Sequence, residues 1–513
     1  MARTKRGESL FGAGIRRLCA VAAATTAAEM ANLVRAGLRE TPTIELRLDW
    51  LRNDTERSRL LLWLKGKKSR GATLLATCRR REGGGRFRGS VQAELYWLNQ
   101  AREAGCSWCD LEIETLRELP GKSLSELGLP PHILLSLHDF QRMPSRLKLS
   151  HAGPHNEADA LKLAAHAHTI GESLRLLRLV RRSDNLVAVP MSEVGLPARI
   201  LALREGSALA YAPIGGATAP GQVSLHALKH LYRAHELTKC TRVYGVIGDP
   251  VGHSPSPLLH NTGFVARKID AVYLPFLVKN LRDFLKAVPE LGIRGFSVTI
   301  PHKQSILRHL KACDPLAAKI GAVNTVVVRR DGSLFGCNTD YIGILRALEK
   351  KLRLAGSRVL IFGAGGVARA AAFALAKAGA NVVICARRES VARQLAKAVG
   401  GEVVPRRALR NETFDAILNA TPIGMHPYDG ISPLSPQELN CRVVMDLINR
   451  PEKTQLLKLA AHKGIATVSG VEMFIPQGVA QWELWTGQSA PESAMRKAVL
   501  RALRSEEKSR QHS

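Results

Sequence analysis

The sequence predicts an α/β protein: an N-terminal (β/α)8 barrel of the TIM type, then a module of two α/β domains, one of them a dinucleotide-binding Rossmann domain. Three observations carry this prediction. The chain has 513 residues, which is about three domains at roughly 100–200 residues each. Short apolar runs alternate with helical segments through the first 240 residues, as eight strand–helix repeats require. Farther on, RVLIFGAGGVARAAAFALAKAGANVVICARR joins an apolar strand, a glycine turn, a helix and a second apolar strand. The expected boundaries are 1–240 for the barrel, 241–345 with 469–513 for the domain beside it, and 346–468 for the Rossmann domain.

Composition excludes several classes. Hydrophobic residues are 45% and charged residues 23%, ordinary values that rule out a disordered or fibrous chain. Lys plus Arg number 74 against 44 Asp plus Glu, a formal charge of +30, which favours anionic ligands. Nucleic acid would also suit that charge, but no zinc-finger spacing or RNP motif is present. Aromatics are only 5%, few for stacking on bases. No apolar stretch reaches the ~18 residues of a membrane span, and MARTKRGESLFGAGIRR reads as a short basic tail. The nine cysteines form no framework, so a cytoplasmic location is expected. Cys106 and Cys109 make a CxxC, but the second opens a strand and no second pair exists for a metal. No metal is expected, and no oligomeric state is read from the chain.

The eight barrel strands are expected at Leu18 to Ala22, Thr43 to Leu48, Ala72 to Cys78, Trp108 to Ile113, His132 to Leu137, Ala160 to Ala164, Leu186 to Pro190 and Leu209 to Ile214. A barrel of this kind works at the C-terminal ends of its strands. Glu45, Arg47 and Asp49 fall on or after the second strand, Arg79 and Glu82 after the third, and His138 after the fifth. Lys162 lies in the sixth, and Met191, Arg199 and Gln222 follow the last two. A lysine inside the apolar run DALKLAAHA is costly to bury as an ammonium unless it is paired, and burial favours the free amine that Schiff-base chemistry needs. Alone, Lys162 is explained by snorkelling and His138 as a satisfied histidine. Together, at the strand ends of one barrel, they point to a lysine nucleophile with a histidine base acting beside a ketone.

Past the barrel, YGVIGDPVGHSPSPLLHN at Tyr244 to Asn261 begins a second machine. Its serines, Ser254 and Ser256, sit among prolines at a helix start, a rigid hydroxyl-bearing loop suited to a small anion. GFSVTIPHK, GAVNT and GCNTD each end an apolar strand with polar side chains. Among these, Lys303 and Asp340 are the expected catalytic pair, a lysine held by an aspartate that stabilises a developing alkoxide. In the βαβ segment, Gly363 permits the tight turn, Gly365 lets the backbone approach a pyrophosphate, and Ala368 permits close helix packing. The expected cofactor loop is therefore Gly363, Ala364, Gly365, Gly366, Val367 and Ala368. Arg387 and Arg388 stand at the end of the second strand, where an acidic residue would indicate NAD. Arginines there suit a 2′-phosphate and NADP(H).

Two resemblances sharpen this picture. ELRLDW, TCRRREGG, DLEIE, SLHDF, the strand lysine and ATAPGQ, in order, resemble type I 3-dehydroquinate dehydratase over roughly residues 15 to 235. That resemblance implies an imine on Lys162, proton transfer by His138, and substrate binding by Arg199 and Gln222, with Glu45, Arg47, Arg79, Glu82 and Thr218 around them. The stretch from Arg79 to Glu82 is one residue short of the family pattern. GDPVGHSPSPLLHN, SVTIPHK, GAVNT, GCNTD, GAGGVARA, NATPIGM and GVEMFIPQG resemble shikimate dehydrogenase over residues 242 to 505. They imply that Ser254 and Ser256 bind the substrate carboxylate and that Thr299, Asn324 and Gln477 bind the ring hydroxyls. Lys303 and Asp340 would carry catalysis, and Asn419, Thr421 and Met425 would line the nicotinamide side. Ser297, Asn449 and Ala386 replace residues common in that family. The resemblances thus imply two consecutive shikimate-pathway steps on one chain, with 3-dehydroquinate and 3-dehydroshikimate/shikimate as the small-molecule partners. A quinate-active dehydrogenase, or a non-catalytic metabolite-binding regulator, is the competing reading.

Overall fold

A computed structural model describes residues 10–66, 71–119, 123–144, 157–183, 185–215 and 222–511. The chain forms two compact units, Met1–Thr241 with Leu274–Leu291, and Arg242–Tyr273 with Gly292–Ser513. In the first, β1 (Leu18–Ala22), β2 (Thr43–Arg47), β3 (Thr73–Thr77), β4 (Trp108–Glu112), β5 (His132–Asp139), β6 (Ala160–His166), β7 (Leu186–Met191) and β8 (Ala210–Pro213) form one eight-stranded sheet. Every expected strand is present, with ends displaced by two residues or fewer. His138 differs slightly, lying inside β5 because that strand runs on to Asp139.

All ladders of this sheet are parallel, and β8 pairs with β1, so the sheet curls round on itself. Parallel strands are covered on both faces, which explains why β1 and β4 are buried along their whole length. Register decides which polar residues meet. Glu112 pairs with Ser136, and Ser136 with Lys162, so three adjacent strands present polar groups side by side.

The second sheet is mixed: β9 (Arg242–Gly248), β10 (Ala271–Leu277), β11 (Ile293–Val298), β12 (Ala312–Cys313), β13 (Thr325–Val328) and β14 (Leu334–Cys337), in the order β10-β9-β11-β13-β14-β12. β9 and β11 are parallel with Ile247 opposite Val298, while β13 runs antiparallel to both β11 and β14. That topology matters for the site. The ends of β9, β11 and β14 and the start of β13 all open at one edge of the sheet.

The third sheet is wholly parallel: β15 (Arg358–Phe362), β16 (Asn381–Cys385), β17 (Glu402–Val403), β18 (Phe414–Asn419), β19 (Cys441–Asp446) and β20 (Ala466–Val468), in the order β17-β16-β15-β18-β19-β20. This is the doubly wound dinucleotide order, whose switch point lies between β15 and β18. The helix Gly366–Lys377 packs an alanine face (Ala368, Ala371, Ala372) into the core, which lets it lie close to the sheet.

Candidate active sites

Polar side chains gather inside the barrel at the C-terminal ends of β2 to β6. Lys162 is only 4% exposed, and its Nζ bonds Asp110 Oδ2. The Tyr211 ring lies 4.8 Å from that nitrogen. The lysine is thus paired with a carboxylate from the DLEIE strand. Asp110 also accepts from Ser136 Oγ at 2.5 Å and from Arg79 Nη2 at 3.3 Å. Burial alone would raise its pKa, but Lys162, Arg79 and His138 outweigh burial and hold it well below the usual carboxylate range.

Two residues along the same face of β4, Glu112 repeats this arrangement around the histidine. Its Oε2 stands 3.3 Å from His138 Nδ1, and its Oε1 accepts from Arg79 Nε and lies 3.1 Å from Ser136 Oγ. Burial acts against the Glu112 charge, but Arg79 and His138 bring its pKa down to about 2. Burial and the Arg79 cation push His138 down to about 4 despite Glu112, so the imidazole is neutral at ordinary pH.

The other expected residues have their own settings. Glu45 is buried on β2 and accepts from Thr77 Oγ1 at 2.7 Å. Arg47 forks onto Asp49 with bonds of 2.9 and 2.8 Å. Arg199, on the helix Leu196–Glu205, donates to the Pro190 carbonyl at 3.2 and 3.0 Å, and burial lowers its pKa to about 10. Gln222 is half-buried beyond β8, and Met191 is the last residue of β7. Glu82 is exposed. Thr218 lies outside the described residues.

In the second unit the converging edge brings Lys303 Nζ to 2.6 Å from Asp340 Oδ2. Asn324 donates to Asp340 Oδ1 at 2.8 Å, to Thr339 Oγ1 at 3.0 Å and to Gln477 Oε1 at 3.3 Å, tying start of β13, end of β14 and helix Gly470–Thr486 together. Ser254 and Ser256 are joined hydroxyl to hydroxyl at 3.1 Å. Thr299 follows β11 and presses on Gly248, where an added Cβ would stand 2.5 Å from its methyl. Only a glycine permits that approach between the two loops.

The glycine turn sits at the switch point. Gly363 has φ +123°, and a Cβ there would meet the Ala420 carbonyl at 2.9 Å. Gly365 differs, since a Cβ there would meet nothing within 4 Å and its φ of −79° suits any residue. Its missing side chain therefore serves no internal packing and leaves the backbone open to a ligand at a helix N-terminus. A Cβ at Gly366 would stand 3.6 Å from the Lys303 side chain, so this turn adjoins the lysine–aspartate pair. Arg387 and Arg388 are exposed beyond β16. Asn419, fully buried, accepts from Thr421 N and Oγ1 and donates to Asp446 and Ile423, shaping the loop after β18. Met425 is 39% exposed beyond it.

Comparison with known proteins matches a type I 3-dehydroquinase model to residues 18–239. A shikimate dehydrogenase substrate-binding-domain model matches residues 246–326, and a shikimate 5′-dehydrogenase C-terminal-domain model matches 470–500. The bifunctional 3-dehydroquinate dehydratase/shikimate dehydrogenase of Arabidopsis thaliana, named chloroplastic, is 35% identical over 479 residues, 87% of this chain and 78% of the relative. The chain belongs to the bifunctional 3-dehydroquinate dehydratase/shikimate dehydrogenase family. The NADP(+) shikimate dehydrogenase of Methanosarcina acetivorans is 41% identical over 278 residues, 51% of this chain and 99% of that one. A solved Thermus thermophilus shikimate 5-dehydrogenase, in complex with NADP(H) and shikimate, is 35% identical over 51% of this chain and 99% of that chain, with a TM-score of 0.47.

Within this bifunctional family, the departures seen in the sequence have structural settings. Ser297 accepts from Tyr273 Oη at 2.6 Å and donates to Gln481 Oε1 at 2.8 Å, while Gln481 donates to Asn324 O and Thr325 Oγ1. It is therefore wired to the main chain of Asn324. Asn449 Oδ1 is buried with no hydrogen-bond partner among the described residues. Ala386 packs against the Rossmann core.

Proposed function

We propose that the barrel dehydrates 3-dehydroquinate to 3-dehydroshikimate and that the second unit reduces 3-dehydroshikimate to shikimate with NADPH. The observation that carries this reading is the pairing of each reactive lysine. Lys162 sits with Asp110 and one strand from His138, and Lys303 sits on Asp340 beside the glycine turn.

In the barrel, Lys162 attacks the substrate ketone as its free amine and the hydroxyl so formed leaves as water, so that the proton the ammonium shed ends on the imine nitrogen. The resulting iminium withdraws electrons from the adjacent carbon. His138 takes the proton from that carbon, and the electron pair left behind expels the neighbouring hydroxyl, which leaves as water with the proton His138 returns. Hydrolysis of the imine frees the product and restores the lysine. The net change is loss of one water. Arg199, Arg47, Arg79, Glu45 and Gln222 are the proposed substrate contacts, with Thr218 completing them.

In the second unit, the residues present fit a nicotinamide dinucleotide. Gly363 to Ala368 form the phosphate turn, the backbone at Gly365 is open, and the exposed Arg387 and Arg388 suit a 2′-phosphate. NADPH supplies the hydride in this chemistry. Lys303, positioned by Asp340, donates a proton to the oxygen of the reduced carbonyl, so substrate plus hydride plus proton gives the alcohol. Ser254 and Ser256 hold the carboxylate, Thr299, Asn324 and Gln477 the ring hydroxyls, and Thr421 and Met425 the nicotinamide side. The proposed domains are 1–240 for the dehydratase, 241–345 with 469–513 for the substrate domain, and 346–468 for the cofactor domain. No helix among the described residues is long and apolar enough to cross a membrane. The nine free cysteines support a reducing compartment.

Borohydride reduction in the presence of 3-dehydroquinate tests the first step. The expected product is a substrate adduct on the Lys162 peptide; attachment to another lysine refutes the assignment.

A further inference from the structure

We propose that Glu112, and not Glu82, is the carboxylate that fixes the tautomer and direction of His138, placing the proton on Nδ1 and leaving Nε2 as the base. The proposal rests on the dehydratase reading and adds a positioning residue to it.

Geometry makes the argument. An ionised carboxylate only accepts hydrogen bonds, so the 3.3 Å contact between Glu112 Oε2 and His138 Nδ1 requires the hydrogen on Nδ1. The other oxygen is committed to Arg79 Nε. Glu112 is therefore held from a second side and cannot rotate away from the histidine. Both side chains are almost fully enclosed, 4% and 6% exposed, a setting in which a charge-assisted bond is strong and costly to leave unmade.

The loop that carries Glu82 approaches the same place with its backbone. A Cβ at Gly83 would stand 3.0 Å from Glu112 Oε2, and one at Gly84 would overlap the Phe140 ring at 2.3 Å. Phe140 in turn stacks on His138 at 5.7 Å. The glycines thus cover the Glu112–His138 pair while the Glu82 side chain is exposed. The charged groups facing His138 are Glu112 and Asp110 from β4, Arg79 from the end of β3 and Lys162 from β6.

Removing the Glu112 charge leaves Arg79 and Lys162 as the neighbours that oppose imidazolium, so the histidine should titrate at still lower pH. In Glu112→Gln, the acid limb of the kcat/KM profile for 3-dehydroquinate is expected to move down, and kcat to fall at least about 10-fold. KM should change less than kcat, and borohydride trapping on Lys162 should persist, because imine formation does not need the oriented base. Glu112→Asp keeps the charge and is expected to hold the acid limb at its wild-type position with a reduced kcat. Equal loss at every pH with an unmoved limb would overturn the proposal by reducing Glu112 to a packing role. So would a limb that moves in Glu82→Gln and stays fixed in Glu112→Gln. Absence of trapping and dehydration in the unmodified enzyme is a different failure, which removes the dehydratase reading itself.

Discussion

Each lysine in the two sites faces a carboxylate, and the consequences can be measured residue by residue. With His138 depressed to about 4, the proposed base is in its working form above that pH. Dehydration should hold up through mildly acidic pH and decline near 4, as a rate profile with 3-dehydroquinate would record. The same shift has a stability sign. The folded histidine binds fewer protons than the unfolded one, whose pKa is about 6.5, so it makes stability rise as pH climbs from about 4 to 6.5. At the second site, Lys303→Ala is expected to cut kcat for reduction about 10²-fold or more with a smaller change in KM, since the role proposed for the lysine is on the developing alkoxide. Steady-state kinetics with 3-dehydroshikimate would check this, and an unchanged kcat would remove Lys303 from the mechanism. Lys162 and His138 were legible because each is anomalous in a strand of apolar residues. Asp110 and Glu112 were not singled out, although a signal existed. In a parallel strand buried on both faces, two acids spaced by two must share a face and demand cations there.

Among the elements, the glycine turn separates packing from binding. Gly363→Ala would force a Cβ onto the Ala420 carbonyl at positive φ, and should lower stability by about 1–3 kcal/mol. Gly365→Ala meets no protein atom and should leave the thermal midpoint almost unchanged while weakening NADPH binding, measured by titration of intrinsic fluorescence. Equal affinity in that variant would contradict the cofactor placement. Where β18 and β19 end, burial lifts Asp446 to about 6 although Thr454, Ile448 and Asn419 bond to it. Its folded pKa is above the unfolded ~3.9, so its contribution is greatest at low pH and falls away as pH rises from about 4 to 6. Asp446→Asn should flatten that dependence in thermal melts at pH 5 and 8, with the gain at pH 8. The strand ladder was legible because apolar runs of four to eight residues between turns are the pattern of buried parallel strands. The reach of a loop was harder to see. In the loop after β3, the Gly83 and Gly84 backbone faces Glu112 and Phe140 while Glu82 is exposed. Side-chain direction in a loop depends on such backbone detail, which periodicity does not encode.

For the whole molecule, the two units carry separate chemistry, and a charge of +30 suits a protein whose proposed substrates and cofactor are all anionic. Separate sites imply separable losses. Lys162→Ala should abolish dehydration and keep reduction of supplied 3-dehydroshikimate, and Lys303→Ala should keep dehydration while reduction falls about 10²-fold or more. The central claim is that one chain performs both steps, and incubation of the purified full-length protein with 3-dehydroquinate and NADPH tests it most directly. Shikimate should form with one NADPH consumed per molecule, and Lys162→Ala should form none unless 3-dehydroshikimate is added. Failure of the unmodified protein to make shikimate, or undiminished formation by Lys162→Ala, would contradict the account.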